Sequence, residues 1–156
     1  MIEKLVAIKT AEGSMETFLT APQEGGPFPV VVLYMDVWGI REELFDLARR
    51  IAVVGYCCVV PDFYYRLGRV RNEFRNSKHQ MISLSALSAA DKATVLTPLS
   101  KLTDDMVIRD TGALLGFLET EPLAAQGAVG GVGYCMGGRH IFKASGAGES
   151  HALPFR

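Results

Sequence analysis

The sequence predicts an α/β fold with a mostly parallel sheet and flanking helices, and three observations predict it. Two short runs, Val30-Val31-Val32-Leu33-Tyr34 and Tyr56-Cys57-Cys58-Val59-Val60, are apolar on both faces, as strands of a sheet covered on both sides must be. Between them lies an amphipathic stretch long enough for a helix. A third apolar run, Ala128-Val129-Gly130-Gly131-Val132-Gly133-Tyr134, follows a second helical stretch. Such alternation reads as βαβ units with right-handed crossovers.

Taken in order, Leu5-Val6-Ala7-Ile8 and Glu16-Thr17-Phe18-Leu19-Thr20 read as two short strands around the turn-rich Ala11-Glu12-Gly13-Ser14. Gly25-Gly26-Pro27 and Pro29 then break the chain ahead of the first fully apolar strand. A helix over about 41–54 repeats Leu44, Leu47, Ala48 and Ile51 at helical spacing, with Arg41, Glu42, Asp46, Arg49 and Arg50 on other faces. Gly55 closes it, and Pro61 and Asp62 end the strand that follows. Residues 64–76 are irregular and basic, with Arg66, Arg69, Arg71 and Arg75 close together. They read as a solvated loop or cap segment, with a wall that attracts an acidic substrate as the sharper alternative. Residues 77–100 are weakly patterned and predict a short helix and a loop near Thr97-Pro98. A longer helix over about 102–119 has Thr103 as its cap and Asp104 and Asp105 in its positive first turn. Its expected buried side is Met106, Ile108, Arg109, Leu114, Leu115 and Leu118, and Pro122 stops it. No repeat and no linker divides the chain, so 1–156 reads as one domain.

A chain of 156 residues with 49% hydrophobic content has enough apolar material for a core. Sixteen Lys and Arg against seventeen Asp and Glu give a net charge of −1, which steers the protein toward neither nucleic acid nor an anionic membrane. The first ten residues hold no apolar segment of the secretory kind. The longest apolar runs are far too short to span a bilayer. Three cysteines do not make a disulfide framework, and Cys57 and Cys58 sit in an apolar strand as small hydrophobes. The expectation is a cytoplasmic protein that acts on a small molecule and has no nucleic-acid or membrane partner.

The third strand runs into Gly133-Tyr134-Cys135-Met136-Gly137. A G-x-nucleophile-x-G segment places the nucleophile on a sharp strand-to-helix turn, where residues two before and two after must be small. Gly133 and Gly137 meet that demand. The turn lifts Cys135 above the sheet at a helix N-terminus, which favours a thiolate. It also aims the Met136 N–H at a developing oxyanion. A nucleotide-binding α/β domain is the competing reading. Gly131-x-Gly133 opens such a pattern, but Met136 stands where it requires Gly, and no acidic residue follows about 20 residues on.

The segment from Gly133 to Arg139, Gly-Tyr-Cys-Met-Gly-Gly-Arg, resembles the nucleophile segment of the dienelactone hydrolase family, of the α/β-hydrolase superfamily. Val30 to Gly39 is similar to the family's strand that ends in a carboxylate, a hydrophobe, an aromatic and a glycine. Val59-Val60-Pro61-Asp62-Phe63-Tyr64 resembles its strand ending in Pro-Asp-x-Tyr. The resemblance implies hydrolysis of a lactone or activated ester through Cys135, without metal or organic cofactor. It implies backbone N–H donors at Val37 and Met136 for the oxyanion hole. Asp36 falls where the family carries a Glu that contacts the nucleophile, and is one methylene shorter. Trp38 and Tyr64 are the candidate substrate-lining aromatics.

This fold orders nucleophile, acid and then His. After Cys135 come His140, Glu149 and His151 only. His140 is expected to project away from the thiol, and two residues of separation between Glu149 and His151 do not supply the later strands that carry acid and base. Residues 144–150 show no helical stripe. His79 lies in a polar, exposed stretch. The expectation is a chain truncated or frameshifted after the elbow, the N-terminal portion of the fold without its last strands. Its function is either that of the hydrolase or that of a catalytically inactive fragment. The elbow strand would then be a sheet edge, open to self-association.

Overall fold

The computed structural model describes residues 1–151, with side chains through residue 146. Chain order is β1 (Ile2–Thr10), β2 (Gly13–Ala21), β3 (Phe28–Tyr34), α1 (Glu42–Val53), β4 (Cys57–Pro61), α2 (Ala89–Lys101), α3 (Asp104–Leu118), β5 (Ala124–Gly133) and α4 (Met136–His151). One sheet runs β1-β2-β4-β3-β5. Its central part is parallel: β3 pairs with β4 and with β5 in the same direction. The β1–β2 hairpin adds antiparallel pairings at one side. The apolar runs of β3 and β4 form the middle of the sheet, and Val32, Leu33 and Cys57 to Val60 are completely buried. Burial pushes the Cys57 and Cys58 thiols up to about 12, so neither is a nucleophile at neutral pH.

From β3 the chain crosses through α1 to β4, then through α2 and α3 to β5 on the other side of β3. Two right-handed crossovers in opposite directions place their helices on opposite faces of the sheet. On one face Phe45 of α1 stacks on Phe18 of β2 at 4.3 Å. From the other, Thr111 of α3 bonds the Tyr34 hydroxyl at 3.0 Å. β5 is the edge strand among the described strands, where the elbow strand was expected.

Four expectations need correction. Pro98 does not end a helix; it lies inside α2, with Val95 and Pro98 buried. Packing there outweighs the lost backbone hydrogen bond. The start of α2 is set by Ser88, whose Oγ accepts from the Asp91 N–H. Residues 144–150 are helical, as α4 runs on to His151 with Ala144 fully buried. The buried side of α3 is Val107, Asp110, Thr111, Leu114, Leu115 and Leu118, one step round from the expected stripe. The apolar count misplaced it because Asp110 is a buried ion-pair partner. Finally, the basic run is mostly paired rather than a cationic wall, while Arg69 is exposed as a solvated loop residue. Arg66 pairs with Asp110 and Glu12, Arg71 with Asp62 and Glu16, and Arg75 with Glu43. Their charges are spent tying the cap segment to the body.

Candidate active site

Tyr34 of β3 lies opposite Gly133 of β5, and Val32 of β3 opposite Val59 of β4. The loops after these three parallel strands therefore leave the sheet at the same edge. The reversal of strand order falls between β3 and β5, where open α/β sheets form their ligand crevice. All the residues expected in the site, Asp36, Val37, Trp38, Tyr64, Cys135 and Met136, come from those loops and the first turn of α4.

Cys135 is exposed and has φ +55°, one of two non-glycine residues with positive φ among those described. That conformation costs on the order of 1–3 kcal/mol and persists where surroundings enforce it. Here they are steric. A Cβ on Gly133 would stand 2.6 Å from the Gly137 carbonyl carbon, and one on Gly137 2.5 Å from the Tyr34 oxygen. The turn is closed by the Gly137 N–H donating to the Tyr134 carbonyl at 2.9 Å. The local sequence thus produces the elbow that its glycine spacing predicts.

Met136 opens α4, and the first N–H groups of a helix have no intrahelical acceptor. Val37 lies in the loop after β3. Both residues are buried, and among the described residues neither N–H has a protein acceptor. Tyr64 brings the two together. Its hydroxyl donates to the Val37 carbonyl at 3.3 Å and lies 3.5 Å from Met136 Sδ. Burial raises its pKa well above the ordinary tyrosine value, with the nearby Asp36, Asp62 and Cys135 adding to the effect. Tyr64 is 1% exposed and serves as a strut between the two loops.

Trp38 is half-buried. It packs on Phe74 at 6.4 Å and belongs to a second, small cluster with Val37, Leu87 and Val95. The segment from about 70 to 99 is thereby held over the loop after β3. Asp36 meets different partners from those expected. Its Oδ1 accepts from the Trp38 N–H at 3.0 Å and from Arg41 Nη1 at 2.7 Å, and its Oδ2 from Arg41 Nη2 at 2.8 Å. No hydrogen bond joins it to Cys135 among the described residues.

His140, one helical turn past the elbow, is 2% exposed and meets the Phe63 ring edge-on at 6.3 Å, with Nδ1 unpartnered. It is a core histidine. Burial lowers its pKa, Arg139 lowers it further, and Asp104 opposes both. A histidine held below its unfolded value of 6.5 leaves more protons on the unfolded chain as pH falls through that value, so stability is lost on the acid side. Urea unfolding at pH 7.5 and 5.5 is expected to show a drop in stability that His140→Gln diminishes; an equal drop in the variant would sink the assignment. His79 is exposed, as expected, and far from any catalytic arrangement in sequence. The side chains of Glu149 and His151 lie outside the described residues.

Sequence reasoning missed Arg41 and Asp110. Both are single charges whose partners are chosen by the fold, and no local pattern marks them.

Comparisons with known proteins agree with this fold. A family model described as the dienelactone hydrolase family matches residues 15–154. A candidate carboxymethylenebutenolidase of Methylorubrum extorquens is 29% identical over 134 residues, 86% of this chain and 41% of the relative. One from Escherichia coli K12 is 29% identical over 112 residues, 70% of this chain and 35% of the relative. A crystal structure assigned as a dienelactone hydrolase of Klebsiella pneumoniae superposes with a TM-score of 0.69 at 24% identity, over 92% of this chain and 53% of that one. A dienelactone hydrolase of Anabaena variabilis gives 0.60 at 15%, over 96% and 59%. The chain spans about two fifths of the Methylorubrum relative's length.

Proposed function

We propose, for a chain that belongs to the dienelactone hydrolase family, that Cys135 is the nucleophile of an acyl-transfer site for a lactone or activated ester. The observation that carries the reading is the pairing of an exposed thiol in a strained turn with two buried, acceptorless N–H groups beside it. In this mechanism the Cys135 sulfur attacks the ester carbonyl. Negative charge gathers on the carbonyl oxygen and is received by the N–H groups of Val37 and Met136. Collapse breaks the C–O bond, the leaving oxygen gains the proton that the thiol gave up, and a thioester remains, with the alcohol freed from an ester or left tethered in an opened lactone. Hydrolysis of that thioester requires a base, and here a specific observation favours a second reading. Among the described residues His140 is buried on Phe63, and neither it nor His79 bonds Cys135. In the second reading the chain acylates without turning over.

A p-nitrophenyl acetate assay, run beside Cys135→Ala, separates the readings. The expected minimum is a burst of p-nitrophenol close to one equivalent per chain that Cys135→Ala abolishes. Steady turnover after the burst supports the hydrolase; a burst alone supports the acylating site. Release that is unchanged in Cys135→Ala overturns the proposal.

The same reading includes location and assembly. Three free thiols suit a reducing cytoplasm. Among the described residues no helix is long and apolar enough to cross a membrane. The outer edge of β5 lies beside an open groove of about 490 Å³ lined by Val30, Ile51, Val54, Tyr56, Val129 and Val132. A second copy pairing along that edge would cover both. Light scattering is expected to give dimers or larger species, and a monodisperse monomer at high concentration would count against this.

A further inference from the structure

Arg41 is the first charged residue after the Asp36–Gly39 turn, and its two Nη groups bond that turn while its Nε lies 3.6 Å from the Glu43 carboxylate. Beyond its two bonds to the Asp36 carboxylate, Nη1 also donates to the Gly39 carbonyl at 3.1 Å. Asp36 meanwhile accepts from Trp38, two residues on, and its own carbonyl accepts from the Gly39 N–H at 3.1 Å. This is an Asx-type turn with an arginine fork across its mouth. Both side chains are largely shielded, at 11% and 16% exposure. Val37 lies at the centre of the turn, so the direction of its N–H depends on this clamp. The short side chain of Asp reaches the N–H two residues ahead; a Glu, one methylene longer, is built to reach outward instead. Three of about four acceptor positions on the Asp36 carboxylate are taken by the turn and by Arg41.

We infer that Arg41 is a positioning residue for acyl transfer, and that the Arg41–Asp36 pair shapes the oxyanion loop around Val37 rather than activating the thiol. The inference rests on the proposed oxyanion role of Val37 and Met136 and deepens it. It assigns the Asp at position 36 a task that its length suits. Asp36 does not act on Cys135; it acts on the donor facing the carbonyl oxygen.

Trp38 is the only tryptophan in the chain, and it sits inside the clamped turn, so its fluorescence reports the loop whether or not an ester is cleaved. Arg41→Gln and Asp36→Asn are each expected to shift Trp38 emission to the red and to raise its quenching by acrylamide, with circular dichroism unchanged. Each is expected to slow the p-nitrophenyl acetate burst by about 10–100-fold, below the loss for a whole oxyanion donor. The double variant should be no slower than the slower single one, and Arg41→Lys should recover part of the rate. The pH midpoint of Cys135 alkylation by iodoacetamide should stay at its wild-type position, Cys57 and Cys58 being buried from the reagent. An unshifted Trp38 signal in both variants overturns the inference, as does a moved alkylation midpoint in Asp36→Asn, which would return Asp36 to the thiol. If Arg41→Gln does not fold, Arg41→Lys and Asp36→Asn carry the same readouts. A burst that survives Cys135→Ala would instead remove the underlying site, while leaving the fluorescence test of the clamp intact.

Discussion

Gly137→Ala is expected to destroy the elbow and cost about 3 kcal/mol or more, the upper range for inserting atoms into a close-packed region. The added Cβ would lie 2.5 Å from the Tyr34 oxygen, 2.9 Å from the Met35 oxygen and 3.1 Å from the Tyr34 carbonyl carbon. All three are backbone atoms at the end of β3, the strand at the centre of the parallel part of the sheet. No rotamer change can relieve the clash. Either α4 moves off the sheet, or the end of β3 moves and takes the loop of Asp36, Val37 and Trp38 with it. Urea unfolding followed by circular dichroism measures the cost. Gly146→Ala, where nothing lies within 4 Å of the added atom, is the matched control in the same helix. It should be neutral or stabilising by up to about 1 kcal/mol, because Ala is the better helix former. A Gly137→Ala variant within about 1 kcal/mol of wild type would show that the turn is more compliant than its steric contacts indicate.

Asp110→Ala is expected to destabilise the chain by about 3–5 kcal/mol, the range for removing one member of a buried ion pair. Asp110 is 1% exposed and takes both arms of the Arg66 guanidinium, at 2.6 and 2.8 Å, with the Tyr65 hydroxyl donating to Oδ1 at 3.1 Å. Arg66 also stacks over the Tyr65 ring at 4.4 Å and pairs with Glu12 in the β1–β2 turn. The cluster therefore ties the hairpin, the start of the cap segment and α3 to one point. Without the carboxylate, a guanidinium with 14% exposure keeps its charge and loses its main acceptor. Replacing both members, as in Arg66→Met with Asp110→Leu, should recover much of the loss, since Asp110→Ala leaves the shielded guanidinium only the more exposed Glu12 as its carboxylate partner. Thermal unfolding of the two variants compares them. If Asp110→Ala alone costs less than about 1 kcal/mol, the cluster contributes little more than a surface pair.

The two sites differ in how they were written into the chain. The elbow is a local object. Its requirement, small residues on both sides of a nucleophile in a positive-φ turn, falls within five consecutive positions, and its clashes arise as soon as a strand leads into a helix. The strands β3 and β4 were equally legible, because burial on both faces demands an unbroken apolar run. The amphipathic stripe of α1 was readable for the same reason, as its one covered face repeats at helical spacing. The start of α2 was written locally as well, in Ser88 and Asp91, but the weak patterning around it hid the signal.

The charges read differently. Arg41, Arg66, Arg71 and Arg75 look alike in the sequence, a basic scatter suited to solvent or to an acidic ligand. Their hydrogen-bonded carboxylate partners lie from 5 to 55 positions away. A buried Asp110 on α3 shifts the helix's inner face by one residue, against the apolar count. Tyr64, an aromatic after a strand, becomes a buried strut because the loops after β3 and β5 converge on it. Through its spacing of apolar and glycine residues, the sequence alone determined the α/β order, the central parallel strands and the elbow at Cys135. Only the tertiary structure decided which charge meets which, and with it that Asp36 faces Arg41. The physical reason is range: steric and hydrophobic requirements act between neighbours in the chain or along one face, whereas an ion pair is chosen among many equivalent charges by where folding brings them.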